Sequence, residues 1–398
     1  MTPDHLIIFL AIGYIFFSLD KKQQKLPVPL LLVVTGVILS FIPYFSDVTI
    51  SRELIYKGFL PALLFISAYR YSFKSVKKFG PFFGLLSTLG LFITALLLGL
   101  AVWGIGSLFT TISLIGALVI ASILTPTDPV SVESVLEESD INKKYTANLE
   151  GESMINDGTS VVIFTIVSSM YTAGKSFSFM HLSKEFLTVS LGGILIGLVL
   201  GWLLSKNIHI LQNHTYQVMV SIIVAYGSFY LAEVFGFSGV LATVTSGIMF
   251  SYELQKTDDE EQSRHIQGGF WSIIEPTILS LVFIVLGIVS MQYIQWKHFG
   301  LFLLIFLLSI AVRFVVLVLI ALPKQKWRKL VYWKGATILT FAGVRGTMSI
   351  VLLLTLQAKL SSDHYILSLS FGAVLLSLVV QTIIIYPLSL ILKKSGSS

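Results

Sequence analysis

The chemistry in this sequence gathers at residues 150–164, EGESMINDGTSVVIF, where Glu150, Glu152, Asn156 and Asp157 precede a run that is almost wholly apolar. On a helix, residues four apart share a face. Glu152 and Asn156 then lie on one face, and Ser153 and Asp157 on the adjacent one. A carboxylate, a hydroxyl and nearby backbone carbonyls are hard oxygen donors, a set that suits a small alkali cation. The chain has no cysteine, and its seven histidines fall mainly in loops or at the ends of apolar runs. Thiolate metal sites, transition-metal clusters and a nucleophile–base pair are therefore not indicated. Glu150 fits a loop or cap acid, and Glu152 also fits a first-turn acid favoured by the helix dipole. Asp157 sits a turn or two inside the apolar run, where neither role explains it.

Two further stretches interrupt apolar runs. In ILTPTDPVSV, Pro126 and Pro129 bracket Thr127 and Asp128. Each proline removes a helical donor and clashes with the preceding turn. In FAGVRGTMS, Gly343 and Gly346 flank Val344 and Arg345. Arg313, in SIAVRFVVL, places another charge inside an apolar run. An ionisable group at the centre of a membrane helix costs roughly 2.5–3.5 kcal/mol on insertion scales. Asp128, Glu152, Asp157, Arg313 and Arg345 must therefore pair, line a wet cavity, or do both.

The elements that must position these groups are membrane helices. The chain has 398 residues, 55% hydrophobic and 12% charged, with a mean hydropathy of +0.86. Soluble domains carry about 25% charged residues. Apolar runs mark thirteen candidate spans, near 5–19, 26–44, 53–69, 81–103, 111–136, 150–172, 186–204, 215–233, 237–250, 270–290, 299–322, 331–357 and 364–392. Nineteen lysines and arginines fall on one set of alternate loops and five on the other. That bias predicts a multi-pass protein of the cell membrane with its N-terminus outside and its C-terminus cytoplasmic. It also accounts for the net charge of +6 without a nucleic-acid partner. The first run is followed by Lys21, Lys22 and Lys25 rather than preceded by basic residues, as an uncleaved helix would be.

The interrupted runs are the fifth and the twelfth. Six-helix halves, spans 1–6 and 8–13, joined by span seven, would each carry a broken fifth member. Matched broken helices in two halves of opposite orientation mark the binding site of an inverted-repeat secondary transporter. Span seven carries Gly193, Gly197 and Gly201 at a four-residue spacing, which permits close helix contact. Packing within one subunit is the expected use of that stripe, with an intersubunit contact as the alternative. Glu53 is expected at the water boundary, and Glu275, before Pro276, at a helix start.

The TDP break, the ESMINDG segment and the GVRGTMS break together resemble the NhaP-like sodium/proton exchanger branch of the monovalent cation/proton antiporters, across essentially the whole chain. The resemblance implies an all-α fold of about thirteen transmembrane helices, with six-helix inverted repeats and two crossed broken helices. Residues 1–398 would form one membrane domain. Spans near 111–172 and 299–392 would form the ion-transport bundle, and those near 1–103 and 186–290 the dimerisation scaffold of a homodimer. It further implies that Asp157 binds sodium and proton in turn, helped by Ser153, Thr127 and Asn156. Asp128 would offset positive helix ends at the crossing, Arg345 would serve the second break, and Glu152 would pair with Arg313. Ile66, in LLFISAY, stands where some relatives carry an acid. No cofactor and no enzymatic activity are implied.

The expected function is exchange of sodium or lithium for protons. Asn156 cannot titrate and Glu152 is expected to stay ionised on its arginine. One exchangeable proton per cation then gives one-for-one, electroneutral exchange. A potassium/proton antiporter would use the same motifs. A cation channel would need a continuous pore, which two crossed breaks around one titratable acid do not suit.

Overall fold

The computed structural model describes residues 2–23, 27–45, 48–70, 82, 84–107, 112–128, 143–174, 176–206, 208, 214–257, 260–330, 333–360, 363–385 and 387–388. Every regular element among them is helical. In chain order the main helices are α1 (Pro3–Gln23), α2 (Val28–Leu39), α3 (Leu60–Arg70), α4 (Leu91–Gly106), α5 (Leu114–Ile123), α6 (Lys143–Thr172), α7 (Phe179–Ser205), α8 (His214–Val234), α9 (Gly239–Leu254), α10 (Glu260–Tyr293), α11 (Phe299–Ala321), α12 (Trp333–Phe341), α13 (Thr347–Lys359) and α14 (His364–Leu376). Three widened π-helical turns continue them: Leu54–Phe59 runs into α3, Leu86–Gly90 into α4, and Ser377–Gln381 extends α14.

Among the described residues the expected apolar runs are helical. Seven helices among the described residues are long and apolar enough to cross a membrane, and α2, α5 and α13 are shorter apolar helices. Local chemistry fixes several starts. Ser113, Ser178 and Ser238 cap α5, α7 and α9 by accepting from Gly116, His181 and Leu241 backbone N–H groups, and Asp363 caps α14 from Ile366 N. Such caps satisfy donors that a helix start otherwise leaves open. In α1, Ile7, Tyr14 and Ile15 are exposed, and so are Leu187, Leu191 and Leu195 in α7. Contiguous apolar faces of this kind are what lipid covers.

Packing sorts the helices around α6. It lies against α5, α7, α9 and the π-turn before α4. α4 packs on α5 and α11, while α9 packs on α3, α7 and α8. α10 links the two groups, touching α1 and α2 on one side and α13 and α14 on the other. The glycine stripe of α7 faces α9 of the same chain: a Cβ at Gly193 would lie 2.5 Å from Ser238 O, and one at Gly197 2.3 Å from Ala242 O. The stripe therefore serves packing within the subunit.

One expectation fails here. Glu275 does not start a helix. It lies inside the 34-residue α10, which continues through Pro276. Its carboxylate pairs with Arg70 at 2.5 Å. Polar residues 260–269 had concealed the first turns of this helix, which project beyond its apolar stretch. Glu53 is exposed and pairs with Lys57 at 3.2 Å.

Candidate functional site: two broken helices beside a carboxylate

Both interrupted segments are unwound. α5 ends at Ile123, and residues 126–128 are without helical structure; Pro129 lies outside the described residues. Pro126 has no N–H to donate and disfavours helical conformation at Thr125. Between α12 and α13, residues 343–346 are likewise non-helical. The two breaks meet, with Asp128 N donating to Val344 O at 2.9 Å.

Each break is compensated by a charge from the other. Asp128 Oδ2 accepts from Thr347 N at 3.0 Å and from Thr347 Oγ1 at 2.8 Å, at the start of α13. A carboxylate there meets the positive end of the helix dipole and unsatisfied N–H groups. Arg345 Nη1 donates to Thr125 O at 3.2 Å and to Pro126 O at 3.3 Å, just beyond the negative end of α5. The side chain of Arg345 thus reaches the first break, whereas the sequence had suggested service to the second. The reason is geometric: the breaks lie against each other, so a long side chain on one spans to the carbonyls of the other. The flanking glycines are required for space. A Cβ at Gly346 would fall 2.3 Å from the Asp128 side chain, and one at Gly343 would fall 2.6 Å from Arg313 Nε.

α6 presents its polar stripe to this crossing. Glu152, Ser153 and Asn156 are buried, and Asp157 is partly buried. Asn156 Nδ2 donates to Thr127 Oγ1 at 2.9 Å, tying the stripe to the first break. Arg313 Nη2 lies 2.9 Å from Glu152 Oε1, and both side chains are more than nine-tenths buried. The same guanidinium donates to Leu339 O near the end of α12. The π-turn before α4 holds the stripe from behind: Ser87 Oγ donates to Glu152 O at 2.9 Å, and Thr159 Oγ1 donates to Ser87 O at 2.5 Å.

Two buried oxygens are left over. Asp157 Oδ1 and Asn156 Oδ1 have no hydrogen-bond partner among the described residues. Asp157 forms no ion pair among the described residues, in contrast to Glu152. A small cavity of about 20 Å³, room for roughly one water, is lined by Glu152, Asn156, Thr125 and Arg313. A larger one of about 190 Å³ is lined by Val161, Thr165, Glu185 and Glu233, among others. Along α6, Asp157 falls between the residues that line the first and those that line the second.

The structure therefore brings together Thr127, Asp128, Glu152, Asn156, Arg313 and Arg345 through direct contacts. Ser153 and Asp157 stand four residues apart on the same helix. The side chain of Glu150 lies outside the described residues. Thr347, Ser87, Ser377 and Gln381 contact the breaks or the stripe and were not singled out from sequence. A buried glutamine four residues after a serine, in an otherwise apolar final span, was the available signal.

Comparison with known proteins identifies the family and the fold. Residues 7–391 match the family model described as sodium/hydrogen exchanger, transmembrane. The Na(+)/H(+) antiporter ApNhaP of Aphanothece halophytica is 28% identical over 379 residues, 94% of this chain and 72% of that protein. The Na(+)/H(+) antiporter NhaH of Halobacillus aidingensis is 27% identical, covering 98% of this chain and 97% of its own. The Na(+)/H(+) antiporter NhaG of Bacillus atrophaeus is 30% identical over 96% of this chain and 73% of its own. The structure of the sodium proton antiporter MjNhaP1 from Methanocaldococcus jannaschii at pH 8 superposes with a TM-score of 0.79 at 19% identity, over 98% of both chains. An all-helical membrane protein with two unwound, mutually compensated helices is thus the class, and the chain belongs to the transmembrane sodium/hydrogen exchanger family.

Proposed function

We propose that this protein exchanges sodium, or lithium, for protons by alternating access around Asp157. One observation carries the reading. Asp128, Glu152, Arg313 and Arg345 are each engaged by helix ends or by one another, and Asp157 is the acid in the stripe with a buried oxygen left unpaired. A carboxylate so placed holds either a proton or a small cation, and the two compete. Sodium affinity then falls as the pH drops, by mass action at one site. Ser153, Thr127 and Asn156 supply neutral oxygens around it. The names of the relatives support sodium as the cargo.

Glu152 stays with Arg313 and Asn156 cannot titrate, so the cycle moves one proton per cation and no net charge. The transport bundle comprises spans near 111–172 and 299–392, and the scaffold those near 1–103 and 186–290. The packing of α4 on α5 and α11 draws that helix to the bundle side. The protein assembles as a homodimer in the cell membrane, N-terminus outside and C-terminus cytoplasmic, an orientation that the loop-charge bias of the sequence supports. The test is proteoliposomes with an internal pH dye, challenged in turn with sodium, lithium, potassium and choline. Sodium and lithium are expected to move protons and choline to leave pH unchanged. Proton movement with potassium alone would overturn the sodium assignment, and sodium conduction without proton movement would overturn exchange.

A further inference from the structure

The last described helix carries a polar device inside an apolar span. α12 stops at Phe341, and a helix end leaves its final carbonyls without intrahelical partners. Arg313 takes Leu339 O. Gln381 Nε2 takes the next two, Thr340 O at 3.3 Å and Phe341 O at 3.4 Å. The other end of the same amide, Gln381 Oε1, accepts from the Ser377 hydroxyl. Ser377 Oγ in turn accepts from Arg345 N at 3.1 Å. Gln381 is 2% exposed and Ser377 fully buried, and both lie on the π-helical turn Ser377–Gln381. A π-turn inserts an extra residue into the helix and recurs at functional sites.

The contacts run in series. Ser377 and Gln381 hold the second break by its N–H and its carbonyls. That fixes the backbone of Arg345, whose guanidinium grips Thr125 O and Pro126 O of the first break. The next residue, Thr127, receives the amide of Asn156, beside Asp157. We propose that Gln381 is a positioning residue for the cation site, acting through Ser377 and Arg345 on the backbone around Thr127. The proposal rests on the reading of Asp157 as the cation-binding carboxylate. In lipid no water replaces a lost donor; Thr340 O keeps the Gly343 N–H at 3.3 Å, but without the amide Phe341 O is stranded and the end of α12 must rearrange to satisfy it. Arg345 and the first break shift with it, and the oxygens around Asp157 lose their spacing.

The experiment measures sodium-driven proton flux in proteoliposomes as a function of sodium concentration, for Gln381→Met, Ser377→Ala and Thr382→Val. Thr382 directly follows the turn, and its buried hydroxyl has no partner among the described residues. Gln381→Met is expected to raise KM for sodium by about tenfold, the low end of the roughly 10–100-fold that loss of an outer-shell partner costs in metal affinity, with the maximal rate per folded protein nearly unchanged. Ser377→Ala shifts KM in the same direction, and Thr382→Val leaves it unchanged. An unchanged KM with a lowered maximal rate would overturn the proposal, because that is what a purely structural role gives. An equal shift in Thr382→Val would also overturn it. Should Gln381→Met fail to accumulate in the membrane, Ser377→Ala decides by the same criterion. An active Asp157→Asn sinks the reading of the site itself, whereas a silent Asp157→Asn with unchanged KM in Gln381→Met sinks the positioning role alone.

Discussion

Arg313 serves a carboxylate and a carbonyl at once, so its loss strands two buried groups. Removing one member of a buried pair typically costs about 3–5 kcal/mol. Arg313→Ala and Glu152→Ala are therefore expected to lower thermal stability in detergent more than Asp157→Asn, which removes a charge that has no counter-ion among the described residues. A double-mutant cycle should show strongly non-additive losses, and purely additive losses would refute the pairing as an energetic unit. At this scale the sequence pointed to the charged groups inside apolar runs more readily than to what they touch. Asp157 stood out because an acid inside an apolar run has few excuses. The target of Arg345 did not, because a linear sequence does not say which break faces which guanidinium. Gln381 escaped notice for a related reason: an uncharged amide barely disturbs hydropathy, and its meaning comes only from the carbonyls it meets.

The broken helices depend on empty space as much as on prolines. Gly346→Ala would drive a methyl group to 2.3 Å from the Asp128 side chain. The expected loss is about 1–3 kcal/mol, as for an overpacked core, with the contact from Asp128 to Thr347 broken and transport impaired. Gly300→Ala is the control, since nothing lies within 4 Å of its would-be Cβ, and in a helix alanine is favoured by roughly 0.5–1 kcal/mol. Thermal unfolding in detergent checks both. If Gly346→Ala matches Gly300→Ala, the close approach of the breaks is not what holds them. Both interruptions were legible at this scale, through Pro126 in one and the paired glycines in the other. The three π-turns were not, because hydropathy does not distinguish a widened turn from a regular one. The early start of α10 was hidden as well, since polar residues in a helix that projects beyond the apolar layer look like a loop.

Across the whole molecule, Asp157 lies along α6 between a one-water cavity on the side of Glu152 and a larger one near Val161 and Thr165. The all-helical, multi-span architecture was legible because lipid imposes length and apolarity on its spans. The proposed cycle, with one exchangeable proton per cation, is electroneutral. An electrogenic cycle moving one charge would gain or lose about 2.3 kcal/mol per 100 mV, roughly a fortyfold shift in the balancing gradient. With a potassium diffusion potential set by valinomycin, the sodium gradient that nulls proton flux is expected to stay put as voltage changes. A null point that follows voltage would make Glu152 a second proton carrier. The most direct test of the central claim needs no vesicle. Sodium added to the purified protein in weakly buffered detergent solution, with a pH dye, should release one proton per sodium bound at Asp157. Choline should release none, and neither should sodium added to Asp157→Asn. Proton release from Asp157→Asn equal to that of the unaltered protein would contradict the account.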